Sequence, residues 1–115
     1  MFDLHPVLDQ LSVPGNFEIS VPEYFNFGVD VIDARAAEGD KTAYIWVDRS
    51  GCVVEHHSFS DLSQASNRFA NVLHQIGACK GDCAVVIMPR IPAWYEVVIG
   101  CIKAGIVAMP GTNLL

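Results

Sequence analysis

Residues 83–109 read CAVVIMPRIPAWYEVVIGCIKAGIVAM, and this stretch decides the fold. It follows the tight turn Lys80-Gly81-Asp82 and opens with an apolar run from Cys83 to Met88. An apolar run without polar alternation predicts a strand that is buried on both faces, as in a parallel sheet. Pro89 then ends the strand because it cannot donate a hydrogen bond to the sheet.

The second half of the stretch predicts a helix and another strand. Pro92 suits the first turn of a helix because its missing N–H would be unpaired there anyway. We expect a helix over 92–104, ended by Gly105, and a short strand over 106–109. A strand, a helix and a strand in this order form a right-handed crossover with parallel strands, so the fold class is α/β. With one covering helix and two strands, the sheet is expected to be incomplete.

Upstream of the crossover, the pattern predicts a helix, a β-hairpin and a second helix. Apolar spacings of three and four over 23–37 predict an amphipathic helix that Gly39 closes. Two β-rich runs, Thr42 to Val47 and Cys52 to Phe59, flank a polar turn and predict the hairpin. Ser60 is the expected N-cap of the next helix, which extends to Gly77.

The N-terminal segment differs from the rest of the chain. Residues 1–21 mix prolines, a glycine and scattered apolar side chains, which predicts an extended arm. We therefore divide the chain into an arm over 1–21 and a partial subdomain over 22–115.

Composition narrows the function classes. The 115 residues are 51% hydrophobic and 17% charged, whereas about 25% charged is typical. This imbalance predicts a segment that something else covers. The net charge of −6 and the lack of a Lys/Arg cluster argue against a nucleic-acid partner. No apolar run is long and clean enough for a transmembrane helix.

The four cysteines contain no C-x-x-C pair. We expect reduced, mostly buried thiols and a cytoplasmic location. Cys79 and Cys83 flank Lys80, which could lower a thiol pKa. A turn that only leads into the next strand is the preferred interpretation.

Four histidines give little sign of a metal site. His56 and His57 are neighbours on a predicted strand, so their side chains point to opposite faces and cannot bind one metal as a simple pair. At least one should be solvated. His5 and His74 are expected to be structural or exposed.

Two segments could meet a ligand. The loop around Arg90 follows a buried strand, where anions often bind in α/β sheets, but it contains no glycine, so packing is the preferred interpretation. Trp94 and Tyr95 beside it are expected to be core or interface aromatics. The turn Gly111-Thr112 follows the second parallel strand at its carboxyl end and could meet a nucleotide.

The order of these motifs resembles the opening of the adenylate-forming (AMP-binding) superfamily, most like medium-chain acyl-CoA synthetases. The likeness runs from about residue 22 to the end. The K-G-D turn and the helix ending in A-G are shared across the superfamily, whereas P-R-x-P-x-W from 89 and M-P-G-T from 109 are closer to the medium-chain branch. Cys83 and Ala93 depart from the pattern, because Arg and Glu are common at those positions.

The resemblance implies an enzyme that joins a carboxylic acid, most like a medium-chain fatty acid, to CoA through an acyl-adenylate, using ATP and magnesium. Its catalytic motifs lie downstream of anything in this sequence, so no catalytic or metal residue transfers, and no tight cofactor binding is expected of this chain. Gly111 and Thr112 are expected near bound CoA.

Three hypotheses remain open. The first is an N-terminal fragment of an acyl-CoA synthetase, inactive alone, whose partner is the rest of the AMP-binding domain. The second is a stand-alone α/β module that binds a nucleotide or a protein partner. The third keeps the superfamily but changes the branch to an aryl-CoA ligase.

Overall fold

The computed structural model describes residues 20–111. Most of the expected arm over 1–21 lies outside this range, as do His5 and Thr112. Within it, three helices and two small sheets follow one another in a mixed α/β arrangement. The α/β fold class is confirmed.

Helix α1 is a π-helical segment, Phe27–Asp33, that continues as the α-helical segment Ala34–Ala37. It begins later than the predicted residue 23 because Asn26 caps it. The Asn26 side-chain oxygen accepts hydrogen bonds from the N–H groups of Gly28 and Val29. Gly39 follows the helix with a φ of 125°, a conformation that favours glycine.

The hairpin pairs β1, Thr42–Val47, with β2, Val54–Ser58, in antiparallel register. Strand β2 starts at Val54 and not at the predicted Cys52, because the turn is longer than expected. In that turn the Asp48 carboxylate accepts a hydrogen bond from the Val53 N–H at 3.0 Å. The hairpin itself is confirmed.

Helix α2 spans Phe59–Gln75, and its N-cap is Ser58 and not the predicted Ser60. The Ser58 hydroxyl oxygen accepts from the Asp61 N–H at 3.1 Å, and the Asp61 carboxylate accepts from the Ser58 N–H at 3.0 Å. This reciprocal pair is a capping box, which satisfies two otherwise unpaired donors. Ser58 and Ser60 both precede the apolar face that begins at Leu62, so the local pattern does not distinguish which serine is the cap.

Strand β3, Cys83–Ile87, helix α3, Pro92–Ala104, and strand β4, Val107–Gly111, form the predicted parallel unit. Strand β4 extends beyond its predicted end at Met109, so Gly111 is its last residue and not part of a turn that follows it. The turn before β3 is tied to β4, since Gly81 N–H donates to Gly105 O at 2.9 Å and Val107 N–H donates to Asp82 O at 2.8 Å. This favours the structural interpretation of the turn.

Only one face of the β3–β4 sheet is covered within residues 20–111. Val86 is buried, whereas the neighbouring Val85 is 66% exposed and Ile87 is 53% exposed. Within residues 20–111 the side chains of β3 therefore alternate between more buried and exposed positions. The sequence had predicted burial on both faces. Residues 20–111 provide helices for one face only.

Helices α2 and α3 pack closely because Gly100 leaves room for the contact. A Cβ at Gly100 would lie 2.9 Å from both the Phe69 ring and the Ser66 carbonyl oxygen. Real Cβ atoms do not approach so closely, so a larger residue would push the helices apart. None of the helices in the described part of the chain is long and apolar enough to cross a membrane.

The cysteine prediction was wrong about burial. Cys101 is fully buried, and burial raises the pKa of its thiol, but Cys52, Cys79 and Cys83 are exposed. The three exposed thiols lie in the hairpin turn, beside the K-G-D turn and on the open sheet face, positions that the local pattern could not distinguish from core.

Candidate functional site

The site of interest is the carboxyl edge of the β3–β4 sheet. Ile87 at the end of β3 pairs with Gly111 at the end of β4. The loop of residues 88–91 leaves β3 at the same edge. The structure therefore brings together two sequence predictions, the Arg90 loop and Gly111, while Thr112 lies outside the described residues. Open α/β sheets bind ligands outside the carboxyl ends of their strands.

The loop at this edge is held by a residue of the hairpin. The Trp46 indole Nε1–H donates a hydrogen bond to the Arg90 carbonyl oxygen at 3.0 Å, across 44 residues of sequence. Inside the loop, the Ile91 N–H donates to Pro89 O at 2.9 Å. The Arg90 backbone is thus fixed while its side chain is exposed.

Four aromatic rings join the hairpin to the start of α3: Tyr44, His57, Trp94 and Tyr95. The Tyr44 ring lies 4.7 Å from the Tyr95 ring and 4.7 Å from the His57 ring, measured between centroids. Trp94 meets Tyr95 edge to face at 5.2 Å. Such pairs add about 0.5–1.5 kcal/mol beyond their buried area. Trp94 and Tyr95 therefore lie where α3 contacts the hairpin.

Burial in this aromatic group raises the pKa of Tyr44 to about 12, and the negative charge of Glu96 adds to the effect. The phenol consequently stays protonated throughout the physiological range. Tyr44 therefore contributes to this group through its ring contacts with Tyr95 and His57.

The two neighbouring histidines point apart, as predicted. His56 is exposed, whereas His57 stacks on Tyr44 and its Nε2 lies 3.2 Å from a Glu55 carboxylate oxygen. Within residues 20–111 no group of three or more His, Cys, Asp or Glu side chains could hold a metal ion.

An open groove of about 520 Å³ lies between the end of α1, the hairpin and the start of α2. The sequence did not predict it. Its lining includes the acidic Asp40 and Asp61 and the imidazole of His56, but no lysine or arginine. A phosphate-bearing ligand would be repelled there, in contrast to the edge that carries Arg90.

Lys103 has a structural role that the sequence interpretation missed. Its side chain is only 5% exposed, and Nζ lies 2.5 Å from Asp33 Oδ1. Nζ also donates to Asn67 Oδ1 at 2.8 Å and to Ser63 O at 3.3 Å. The ammonium group thereby ties α1, α2 and α3 together. A lone lysine in an apolar helix was the available signal, because a buried charge requires partners.

Two solved structures show that this order of a hairpin, helices and a β-α-β unit is that of the N-terminal subdomain of adenylate-forming enzymes. The solved fatty acid AMP ligase from Legionella pneumophila superposes with a TM-score of 0.69 and 24% identity, over 74% of this chain and 15% of that one. For the Mycobacterium tuberculosis fatty acyl CoA synthetase the TM-score is 0.62 with 27% identity, over 78% of this chain and 17% of that one.

Sequence comparison gives the family. The family model for AMP-binding enzymes matches residues 32–113, which is more than half of the chain. The chain therefore belongs to this family. It is 40% identical over 114 residues to the mitochondrial acyl-coenzyme A synthetase ACSM3 of Rattus norvegicus, covering 90% of this chain and 19% of that protein. It is 42% identical over 102 residues to the mitochondrial ACSM2 of the same species, covering 81% and 17%. The chain spans about a fifth of the length of these relatives.

Proposed function

We propose that this chain is the N-terminal scaffold of an AMP-forming acyl-CoA synthetase that takes medium-chain fatty acids and is inactive alone. The observation that carries the proposal is the family match over residues 32–113. The relatives of 40% and 42% identity, named acyl-coenzyme A synthetases, support the branch.

In the proposed reaction the acid's carboxylate attacks the α-phosphorus of ATP, which forms an acyl-adenylate and releases pyrophosphate. The CoA thiol then attacks the acyl carbon, which forms the thioester and releases AMP. We assign no chemical step to residues 20–111. The family resemblance also implies magnesium. Residues 20–111 contain no group of three His, Cys, Asp or Glu side chains that could hold it, so these residues are given no step that involves the metal.

The contribution proposed for these residues is structural and positional. The sheet edge formed by Ile87 and Gly111 would form part of the wall near CoA. The exposed apolar face of β3 and β4 would pack against the rest of the AMP-binding domain, since exposed apolar surface of this kind favours association.

The test compares the 115-residue chain with the longer protein that this proposal requires, whose absence would itself refute the scaffold role. Each is incubated with octanoic acid, ATP, magnesium and CoA, and pyrophosphate and thioester are measured. We expect both products from the longer protein and neither from the 115-residue chain. Turnover by the short chain would refute the scaffold role. A longer protein that activates benzoic acid and not octanoic acid would establish the aryl-CoA branch instead.

The cytoplasmic location also remains a proposal. Three exposed free thiols fit a reducing compartment. The relatives compared above carry "mitochondrial" in their names. Cell fractionation with an antibody to this chain distinguishes the cytoplasm from mitochondria, and recovery in mitochondria would overturn the proposal.

A further inference from the structure

The Arg90 guanidinium has no local counter-ion within residues 20–111, as is also true of Arg49, Arg68 and Lys80, and Arg90 is the one that follows the carboxyl end of β3. The Arg35 guanidinium and the Lys41 ammonium both bind the Glu38 carboxylate, at 3.0 and 3.1 Å. The Lys103 ammonium binds Asp33. Within residues 20–111, the Arg90 guanidinium forms neither a hydrogen bond nor an ion pair with another described residue.

The Arg90 backbone, in contrast, is firmly held. Its carbonyl oxygen accepts the Trp46 indole N–H at 3.0 Å, and the residues on either side of it close a short turn from Pro89 to Ile91. The Tyr44 and Tyr95 rings connect the same hairpin to α3, which begins directly after the Arg90 loop. A flexible cationic side chain thus projects from a backbone that the hairpin fixes.

Arg90 lies at the carboxyl edge of the β3–β4 sheet, where open α/β sheets bind ligands. The loop of residues 88–91 follows Ile87, the last residue of β3. Ile87 pairs with Gly111 at the end of β4. The chain as a whole carries a charge of −6, so Arg90 places a positive charge at the carboxyl edge of the sheet in an otherwise acidic protein. Arginine donors match the geometry of phosphate oxygens and bind them in charge-assisted hydrogen bonds.

We propose that Arg90 contacts a phosphate group of a nucleotide cosubstrate, and that Trp46 is the positioning residue that fixes the Arg90 loop through its indole N–H. Both ATP and CoA carry suitable phosphates. The inference rests on the proposed function, because it concerns the same edge in the complete enzyme.

The experiment uses the longer enzyme that the proposed function requires and measures kcat and KM for ATP and for CoA. Arg90→Gln should raise KM for one of them about tenfold, as expected for the loss of one charge-assisted hydrogen bond, with kcat changed less than about twofold. Arg90→Lys should restore part of the affinity. Arg49→Gln, which changes an exposed arginine in the hairpin turn, is the matched control and should leave both KM values unchanged.

Two further measurements show which phosphate Arg90 binds and whether Trp46 positions the loop. If Arg90 binds the 3′-phosphate of CoA, dephospho-CoA should have the same KM with wild type and with Arg90→Gln. An effect confined to ATP identifies the triphosphate. Trp46→Phe keeps an aromatic ring but loses the donor, so it should raise the KM of the same cosubstrate about threefold to tenfold.

The outcomes are distinguishable. Unchanged KM values in Arg90→Gln would overturn the phosphate contact. A Trp46→Phe enzyme that melts at a lower temperature but keeps wild-type KM values would overturn the positioning role, since a purely structural contact predicts that result. A wild-type enzyme that forms no thioester would instead refute the proposed function.

Discussion

The Nζ atom of Lys103 in α3 lies 2.5 Å from the Oδ1 atom of Asp33 in α1, although 70 residues separate them in sequence. Asp33 also accepts a hydrogen bond from the Ser63 hydroxyl at 2.6 Å. One carboxylate therefore connects all three helices. Because the lysine is 5% exposed and Asp33 is 32% exposed, water screens this pair less than a surface ion pair.

Lys103→Ala should destabilise the 115-residue chain by about 2–3 kcal/mol, because it leaves Asp33 without its cation and opens a cavity between the helices. Lys103→Met should cost less, since it refills the cavity and Ser63 still binds the carboxylate. Urea unfolding measures both. The control Lys41→Ala removes an exposed ion pair and should cost less than about 1 kcal/mol. Equal losses for Lys103→Ala and Lys41→Ala would contradict the buried network.

Ser58→Ala should lower stability by about 1 kcal/mol by removing the N-cap of α2, whereas Ser60→Ala should have a much smaller effect. The two serines are two residues apart, so they form a matched pair. Thermal unfolding followed by circular dichroism distinguishes them. A larger loss at Ser60 would favour the cap expected from sequence.

The same cap gives a pH dependence. Hydrogen bonds from Ser58 lower the pKa of Asp61 below its ordinary value of 3.8. A lowered pKa in the folded state stabilises the fold fully above pH 3.8, and this contribution is lost as the pH falls through the folded value. Asp61→Asn should therefore lose stability at pH 7 and show a weaker decline on acidification below pH 4 than wild type. If wild type and Asp61→Asn lost stability equally as the pH falls, this prediction would be contradicted.

Tyr44 should titrate well above the ordinary tyrosine pKa of 10. Its pKa is raised to about 12, so the folded state holds the phenolic proton more tightly than the unfolded state. The associated stability is present below the ordinary value of 10 and is lost as the pH rises towards 12. Ultraviolet titration of phenolate should show a late step that Tyr44→Phe removes and Tyr24→Phe retains. Persistence of that step in Tyr44→Phe would assign it to another residue.

The open sheet face should make the 115-residue chain associate. Val85 and Val107 are 66% and 51% exposed and lie on this face. Replacing both by Thr should reduce the apparent mass measured by light scattering, because Thr keeps the strand shape but adds a polar group. Val72→Thr, at a 48% exposed position of α2, is the control and should not change it. A monomeric wild-type chain that binds nucleotide would favour the stand-alone module.

Much of the fold could be predicted from local signals. The limits of α3, Pro92–Ala104, coincide with the prediction because Pro92 marks the first turn and Gly105, with a φ of 71°, ends the helix. Strand β1 likewise coincides with its β-rich run. The starts of α1 and α2 were less predictable, because Asn26 and Ser58 act as caps through side-chain hydrogen bonds that compete with other nearby polar residues.

The sequence by itself determined the order of helices and strands, the parallel β-α-β unit and the family resemblance. These depend on periodicity and on Gly and Pro, which act within a few residues. Only the tertiary structure decided that Lys103 binds Asp33, that Trp46 holds the Arg90 loop, and which thiols are exposed. Those contacts join residues 44 to 70 positions apart or depend on which face is covered, and no local pattern specifies such distances.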